Sequence, residues 1–462
     1  MSARKIRQKT ASGRPPQRSA KLTSDSGRST SSYVVACVIG VGAAAALSYT
    51  GLYDLGSGFG ESLVERLMGK EDVFEGIPPQ AVFVDPLSFA VLGEHSPASR
   101  NDSFTTLFNP TNSTPPFFQI FHPSFLTSVL GPNAVIRSIA SNSTFSFAHE
   151  APIWDPETDQ VWFASNAGGA LGMSDWHRNS VVSRVDLGEV EMALEFLGEE
   201  DRGAIEVGVT QVDLPEEVQM TNGGTGPYKG DLVLINSGRG TRPPNIVLVN
   251  PKPPHNLTVL LDNFYGRQFN SLNDIKLHPT NGKFYFTDVI YGWLYHFRPQ
   301  PILPIQLYSF DPKTGIVRAV ADDFDKCNGL AFSADGKKAY VADTGSAGGL
   351  RLGKNHADPA SIYEYDVDPR TGTFRDRRVF AYIDTGIPDG LQFDTQGNLY
   401  AGCGDGVHVF NPDGVLLGKF FVGKTSANMV FAGKGRMVIM AETEVYLVSG
   451  LRVGGLDLAG FV

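Results

Sequence analysis

One short element recurs six times along this chain, and the recurrence limits the possible folds more than any other feature. Each copy has an apolar run, a polar turn and a second apolar run. The clearest copies read APIWDPETDQVWFAS (151–165), DIKLHPTNGKFYFTD (274–288), GLAFSADGKKAYVAD (329–343) and GLQFDTQGNLYAGC (390–403), and the weaker ones are KGDLVLINS (229–237) and NMVFAGKGRMVIMAE (428–442). Short β-branched and aromatic runs between Gly, Asn and Asp turns are typical of all-β proteins.

The spacing of the copies indicates the architecture. Their turns are 38 to 70 residues apart, and repeats of this size that each form a sheet predict a β-propeller. Six copies predict six blades, with the recurring hairpin as the two inner strands. The intervening segments 306–320 and 361–380 are then outer hairpins. Two stacked β domains are the alternative, and the recurrence of one element along the whole body argues against them.

The charge of the chain is unevenly divided between a basic N-terminal tail and an acidic remainder. Residues 1–32 hold eight of the 39 Lys and Arg residues and one of the 49 acidic residues, so the net charge of −10 divides into a tail of about +7 and a remainder of −17. The tail lacks apolar periodicity and is predicted to be disordered. The acidic remainder argues against a nucleic-acid partner, which requires a basic face.

An uncharged stretch at 33–52 follows the basic tail. Its length fits a bilayer-spanning helix, and the basic flank would keep the N-terminus cytoplasmic. The favoured interpretation is a transmembrane signal anchor with a lumenal or extracellular body; a cleaved signal peptide with a secreted body and a buried core helix are the alternatives. Residues 53–145 are then a stalk and N-terminal extension, and 146–462 the propeller.

Sequons and cysteines bear on the same location. Asn-X-Ser/Thr glycosylation sequons begin at Asn101, Asn112, Asn142 and Asn256, all beyond the apolar stretch. Cys327 and Cys403 could form a disulfide in an oxidising lumen. Two buried free thiols are the preferred interpretation.

Polar residues stand directly before four of the recurring strands. They are Glu150, Asn273, Asn328 and Asp389. In a propeller the inner strands surround a central channel, so residues at this position in different blades can converge. Two carboxylates and two amide carbonyls form an all-oxygen ligand set, which suits Ca²⁺, Mg²⁺ or Mn²⁺ better than a thiolate zinc site. Asn-Gly and Asp-Gly pairs are also common turn formers, but the shared position favours a common function.

These strings resemble a known family. AHEAPIWDPETDQVWFASNAG, FNSLNDIKLHPTNGKFYFTD, CNGLAFSADGKKAYVADT and IPDGLQFDTQGNLYAGC resemble the senescence-marker-protein/gluconolactonase/LRE-like superfamily, and most of all its fungal lactonohydrolase-like branch. The resemblance covers residues 145 to 450 approximately. It implies a six-bladed propeller with a catalytic divalent cation, usually Ca²⁺ but also Mg²⁺, Mn²⁺ or Zn²⁺, and a lactone or related ester as substrate.

The resemblance also implies roles for individual residues. Glu150, Asn328 and Asp389 match the metal ligands of the family, and Asn273 matches a position that contacts metal or substrate. Asp389 is also a candidate general base. Further candidates for substrate contacts are His149, Arg267, Asp274, Asp288 and Tyr291, each of which could instead be structural.

Other chemistries find no support in the sequence. The string GKFFVGKT (418–425) matches a phosphate-binding loop literally, but its centre is typical of a strand and no helix follows, so a nucleotide partner is not expected. His149-Glu150 is not followed by the second His of a zincin helix. Two rival functions stay open: a strictosidine-synthase-like enzyme without the full metal set, and a non-catalytic binding propeller at a membrane.

Overall fold

A computed structural model describes residues 76–95, 108–198, 201–433 and 435–456, all of which belong to one compact unit, Leu63–Val462. The basic tail 1–32, the apolar stretch 33–52 and the sequon at Asn101 lie outside the described residues. Within the described ranges, no helix has the length and apolarity needed to cross a bilayer.

Five antiparallel sheets follow one another along the chain, and their inner strands pack side by side around a ring. Blade 1 contains β4 (Glu150–Asp155), β5 (Gln160–Ala164), β6 (Val182–Asp186) and β7 (Val209–Val212). Blade 2 contains β8 (Thr221–Tyr228), β9 (Asp231–Asn236), β10 (Asn245–Val249) and β11 (Leu257–Leu261). Blade 3 contains β12 (Leu272–Leu277), β13 (Phe284–Asp288), β14 (Gln306–Phe310) and β15 (Val317–Ala321). Blade 4 contains β16 (Cys327–Phe332), β17 (Lys338–Asp343), β18 (Ser361–Val367) and β19 (Phe374–Tyr382). Blade 5 contains β20 (Leu391–Phe393), β21 (Leu399–Cys403), β22 (Gly406–Phe410) and β23 (Leu416–Phe421).

The sixth sheet closes the ring by joining the two ends of the described chain. Its inner strands are β24 (Asn428–Phe431), β25 (Met437–Ala441) and β26 (Glu444–Leu451), and its outer strand is β3 (Leu130–Ser141). The expected stalk 53–145 therefore needs correction, because its segment β3 is part of the propeller. The N-terminal strand β3 supplies the fourth strand of the last blade, and only its long-range pairing with β26 shows this.

Residues before β3 extend blade 5 outwards. The strands β1 (Ala81–Phe83) and β2 (Phe117–Ile120) pair in parallel, and β2 pairs antiparallel with β23. The string 418–425 lies in β23 and the turn after it, which confirms the strand prediction for that segment. Blade 5 is therefore a six-stranded sheet.

Helices are few and short in the described chain. They comprise α1 (Leu187–Glu195), α2 (Tyr291–Leu294), α3 (Gly349–Leu352), a π-helical turn (Phe125–Val129) and the 3-10 turns Pro86–Phe89 and Gly93–His95. The helix α1 begins at Asp186, whose carboxylate accepts hydrogen bonds from the backbone N–H of Gly188 and Glu189 and satisfies two free donors of the first turn.

The six largest apolar clusters of the described core each lie between one pair of adjacent blades. Because successive strand residues face opposite sides of a sheet, each blade contributes to the clusters on both of its faces. Cys327 lies in the cluster of blades 3 and 4, and Cys403 in that of blades 4 and 5. Both are buried free thiols, as preferred from the sequence.

Three sequon asparagines fall within the described residues. Asn112, Asn142 and Asn256 are all exposed, so their side chains are accessible to a modifying enzyme. Glycosylation of these residues stays a prediction.

Candidate metal centre

The site lies where the inner strands begin. Five of the six recurring hairpins supply both inner strands of a blade, as the sequence predicts, whereas the copy at 229–237 contains only the second strand, β9. The first residues of β12, β16 and β20 are therefore neighbours around the ring, although they are far apart in the sequence.

Four residues share one position at this edge. Asn222, Asn273, Asn328 and Asp389 each stand two residues before the start of regular pairing with the second strand. Glu150 stands three residues before Ile153, the corresponding residue of β4. The prediction that Glu150 shares the position of Asn273, Asn328 and Asp389 is therefore wrong by one residue. Ala151, with a φ of 52°, forms the irregularity that separates Glu150 from the paired strand.

Three donor groups converge despite this offset. The ligand atoms of His149, Glu150 and Asp389 all lie within 4.8 Å of one another. Glu150 is buried, whereas His149 and Asp389 are half-buried. A group of this kind can hold a metal ion, and its carboxylates favour a hard divalent cation.

Unpaired oxygens point to the same conclusion. Within the described residues, the Oδ1 atoms of Asn222, Asn273 and Asp389 are buried and have no hydrogen-bond partner. Leaving one buried acceptor unsatisfied costs about 1–3 kcal/mol, so these three oxygens, at the same position in blades 2, 3 and 5, are candidates for contact with a bound cation or substrate. Oxygen atoms of this type are ligands that Ca²⁺ accepts.

The two carboxyls of the cluster also favour a cation. Burial is the main cause that raises the pKa of Asp389 to about 7, and the charges of Asp274 and Glu442 add to it against the opposing charge of His149. Burial and the charge of Asp389 raise the pKa of Glu150 as well. Like charges in a buried site repel each other, and a bound cation would remove this repulsion.

His149 is held by residues that the sequence did not single out. Its Nδ1 lies 2.7 Å from Oε1 of Glu442, and Asn166 donates to the other oxygen of Glu442 at 3.0 Å. Burial alone would lower the pKa of His149, but Glu442, followed by Glu150 and Asp389, raises it to about 10. Nε2 of His149 faces Glu150 Oε1 at 3.9 Å.

Asn428 fixes the orientation of Glu150. Its Nδ2 donates to Oε2 of Glu150 at 3.0 Å, while its own Oδ1 accepts from the N–H of Met429 at 2.9 Å. Asn428 begins the inner strand of blade 6 and is buried. Asn428 directly precedes the string MVFAGKGRMVIM, and aligning the sixth copy on this string would have identified Asn428 as a polar residue before an inner strand.

Asn222 was missed for a similar reason. The second copy was aligned on 229–237, which contains β9, so the preceding strand β8 was not recognised as the first strand of the hairpin. The string Asn222-Gly223 repeats the pattern of Asn328-Gly329 and Asp389-Gly390, and this was the available signal.

The remaining predicted residues have different positions. Asp274 lies behind Asn273 and accepts from the N–H of Ile275 and Leu330 at 2.8 and 2.9 Å, so it joins blades 3 and 4. Its charge raises the pKa of both cluster carboxyls. It is therefore close to the site, but its oxygens are engaged by backbone.

Asp288, Tyr291 and Arg267 do not belong to the cluster. Asp288 ends β13 and accepts from the N–H of Asn270 and Ser271, which is the structural alternative recognised from the sequence. The Tyr291 hydroxyl is buried and bonded to Thr344. Arg267 is exposed in the turn between β11 and β12, and the structure does not bring it to the site.

Comparison with known proteins agrees with this architecture. The SMP-30/Gluconolactonase/LRE-like region matches residues 148–442. The lactonohydrolase oryL of Aspergillus oryzae is 27% identical over 385 residues, covering 78% of this chain and 82% of that protein. The gluconolactonase of Zymomonas mobilis is 31% identical over 198 residues, covering 40% and 52% of the two chains.

A solved structure shows the same fold. A gluconolactonase from Xanthomonas campestris superposes with a TM-score of 0.54 at 23% identity, covering 72% of this chain and 94% of the other. The family match spans more than half of the chain and includes every residue of the cluster. This chain belongs to the SMP-30/gluconolactonase/LRE-like family.

Proposed function

We propose that this protein hydrolyses lactones at the ring centre with the help of a bound divalent cation, Ca²⁺ first among the candidates. The observation that carries the proposal is the cluster of Glu150 and Asp389 beside buried amide oxygens without partners. The names of the relatives, lactonohydrolase and gluconolactonase, support the choice of a cyclic ester as substrate.

The residues divide the work as follows. Glu150, Asn328 and Asp389 would hold the cation, with the Oδ1 atoms of Asn273 and Asn222 close to the same opening. When bound, a divalent cation polarises the carbonyl oxygen of the ester and stabilises the negative charge that develops there. Asn428 keeps Glu150 in place through its 3.0 Å hydrogen bond.

The reaction consumes one water molecule. Its oxygen bonds to the carbonyl carbon, the bond from that carbon to the ring oxygen breaks, and the ring oxygen receives a proton to give a hydroxy acid. The unpaired Oδ1 of Asp389 is the candidate to accept the proton of the attacking water. His149 and Glu442 keep a hydrogen-bonded pair at the side of the site.

Removal of the cation is the direct test. We expect the purified protein to hydrolyse a panel of lactones with Ca²⁺ present, and to lose at least ~100-fold in rate after chelation, because a Lewis acid supplies several kcal/mol of transition-state stabilisation. Readdition of Ca²⁺ should restore activity. Full activity in a chelated sample that metal analysis shows to be free of metal would contradict the proposal and favour a propeller enzyme that needs no metal. Bound metal without turnover of any lactone would favour a binding propeller.

Asn428→Ala tests the positioning of Glu150. Loss of the Nδ2 donor frees the Glu150 carboxylate to rotate, and we expect Ca²⁺ affinity to fall about 10- to 100-fold, as for other residues that orient a metal ligand. Isothermal titration calorimetry measures this directly. Asn398→Ala is the matched control, since Asn398 is a buried asparagine that bonds Asp394 in blade 5. Equal affinities in the two variants would rule out the positioning role.

A further inference from the structure

Long loops rise from the edge of the blades that carries the cluster. Glu150 pairs with Ala164, and Cys327 with Asp343, so the loops after the second strands leave from the same edge as the site. The loops after β5, β13 and β17 span 165–181, 289–305 and 344–360, whereas those after β21 and β25 span only two residues each. The loop after β9 spans 237–244, so the longest loops at this edge belong to blades 1, 3 and 4 and the shortest to blades 5 and 6.

The three long loops contact each other. A Cβ placed on Gly168 would lie 2.8 Å from Cβ of Tyr295, and one on Gly349 would lie 2.9 Å from Cβ of Leu294. The Arg351 guanidinium stacks on the Trp293 ring at 4.7 Å. These contacts join the loops into one continuous cover along one side of the mouth.

This cover exposes large apolar side chains. Single exposed apolar residues are common on protein surfaces, but here the three joined loops carry six of them. They are Leu171 (43% exposed), Met173 (49%), Trp176 (38%), Ile302 (66%), Leu350 (65%) and Leu352 (63%), and we call this set the apolar rim.

The apolar rim is continuous with the site. The first rim loop begins beside Asn166, which bonds Glu442 and, through its Oδ1, the N–H of Gly169. Tyr295, half-buried, packs at 6.1 Å from the Tyr291 ring and against Gly168. Burial, followed by the charges of Asp389 and Glu442, raises the pKa of its hydroxyl, which agrees with a place between the cluster and the rim.

We propose that the substrate is a lactone with an apolar substituent, alkyl or aromatic, that lies along the apolar rim while the ring carbonyl lies over the cluster. This inference rests on the proposed lactone hydrolysis. A polyhydroxylated sugar lactone would leave the rim in contact with water. An alkyl chain removes its own surface and that of the rim from water, and each CH₂ fully buried is worth about fourfold in binding.

Three lactones test the inference on the full protein with Ca²⁺. They are δ-valerolactone, which has no substituent, δ-decalactone, which adds a five-carbon chain, and D-glucono-δ-lactone, which adds hydroxyls. We expect kcat/KM for δ-decalactone to be at least about tenfold higher than for δ-valerolactone, because the chain is partly buried. We expect the sugar lactone to be the poorest of the three.

A double variant identifies the residues responsible. Leu350→Ser with Leu352→Ser should reduce the ratio of kcat/KM for δ-decalactone to that for δ-valerolactone at least about fivefold. Both side chains are exposed, so the fold should tolerate the change. The control is Ile316→Ser with Val379→Ser, which removes two exposed apolar side chains (53% and 67%) from blades 3 and 4 outside these loops.

The outcomes separate the two proposals. Turnover of δ-valerolactone with no preference for δ-decalactone, or a preference that survives the rim variant, overturns the inference and leaves the proposed function standing. Absence of turnover for all three lactones overturns the proposed function and the inference together. Loss of binding to phosphatidylcholine vesicles in the rim variant, with the lactone ratio unchanged, would assign the rim to a lipid surface and overturn the inference.

Discussion

Asp389→Asn is expected to lower kcat/KM for lactone hydrolysis about 1,000-fold and to weaken Ca²⁺ binding. The variant removes one negative charge and a candidate proton acceptor without changing the size of the side chain. Loss of several kcal/mol of electrostatic stabilisation corresponds to about three powers of ten in rate. The fold should accept Asn here, because Asn222, Asn273 and Asn328 stand at the same position in three other blades.

The control for this variant lies at the other end of the same strand. Asp394 is buried just after β20 and accepts hydrogen bonds from Asn398 and Tyr400, so Asp394→Asn makes the same chemical change at a carboxyl in the same blade. We expect its kcat/KM to stay within about threefold of the wild type. Steady-state kinetics with calorimetric Ca²⁺ titration measure both effects. A fall of less than tenfold for Asp389→Asn would remove Asp389 from the mechanism.

The fold could be predicted because its evidence is local and repeated. Recognising a recurring hairpin needs no knowledge of tertiary contacts. Five of the six copies supply both inner strands of a blade, and the copy at 229–237 contains only β9. The strand β3 could not be predicted in the same way. It lies before the repeats, and only the pairing with β26 makes it the outer strand of the last blade.

The candidate site likewise contains residues that could be predicted from the repeat and residues that could not. Glu150, Asn273, Asn328 and Asp389 were found because each precedes a recognisable strand. Glu442 bonds both His149 and Asn166, which precede it by 293 and 276 residues. No spacing in the sequence predicts contacts over such separations. Arg267 stands in none of the recurring strands, and the structure places it exposed in the turn between β11 and β12.

A second large effect is expected in a buried ionic cluster of blade 5. Lys419 is fully buried on β23, with its Nζ 2.8 Å from Asp384 and 3.0 Å from Asp405. His408 lies 2.6 Å from the other oxygen of Asp405. The rings of Phe108 and Phe121 cover the ammonium group at 4.9 and 5.8 Å, so the residues before β3 keep water from these charges.

Lys419→Met should lower the free energy of unfolding by about 3–5 kcal/mol, which is the usual effect of removing one partner of a buried ion pair. The methionine fills a similar volume but leaves Asp405 buried without its cation. Urea denaturation followed by circular dichroism measures the change. Lys338→Met is the matched control, since Lys338 is 40% exposed in its pairs with Glu364 and Asp366 and should change stability by at most about 1 kcal/mol.

The pH dependence gives this prediction a second, independent test. Burial alone would raise the pKa of Asp405, but the charges of Lys419 and His408 outweigh burial and lower it. A lowered carboxyl pKa stabilises the fold above the usual Asp value of about 4, and this contribution is lost as the pH falls below it. Without Lys419, burial should raise the pKa of Asp405. Protonation of Asp405 should then stabilise the variant as the pH falls towards 4, whereas the wild type keeps its stabilisation down to about that pH. The stability difference between the two should therefore be largest near neutral pH and narrow towards pH 4, and a constant difference would mean that lost packing, not the buried charge, causes the effect.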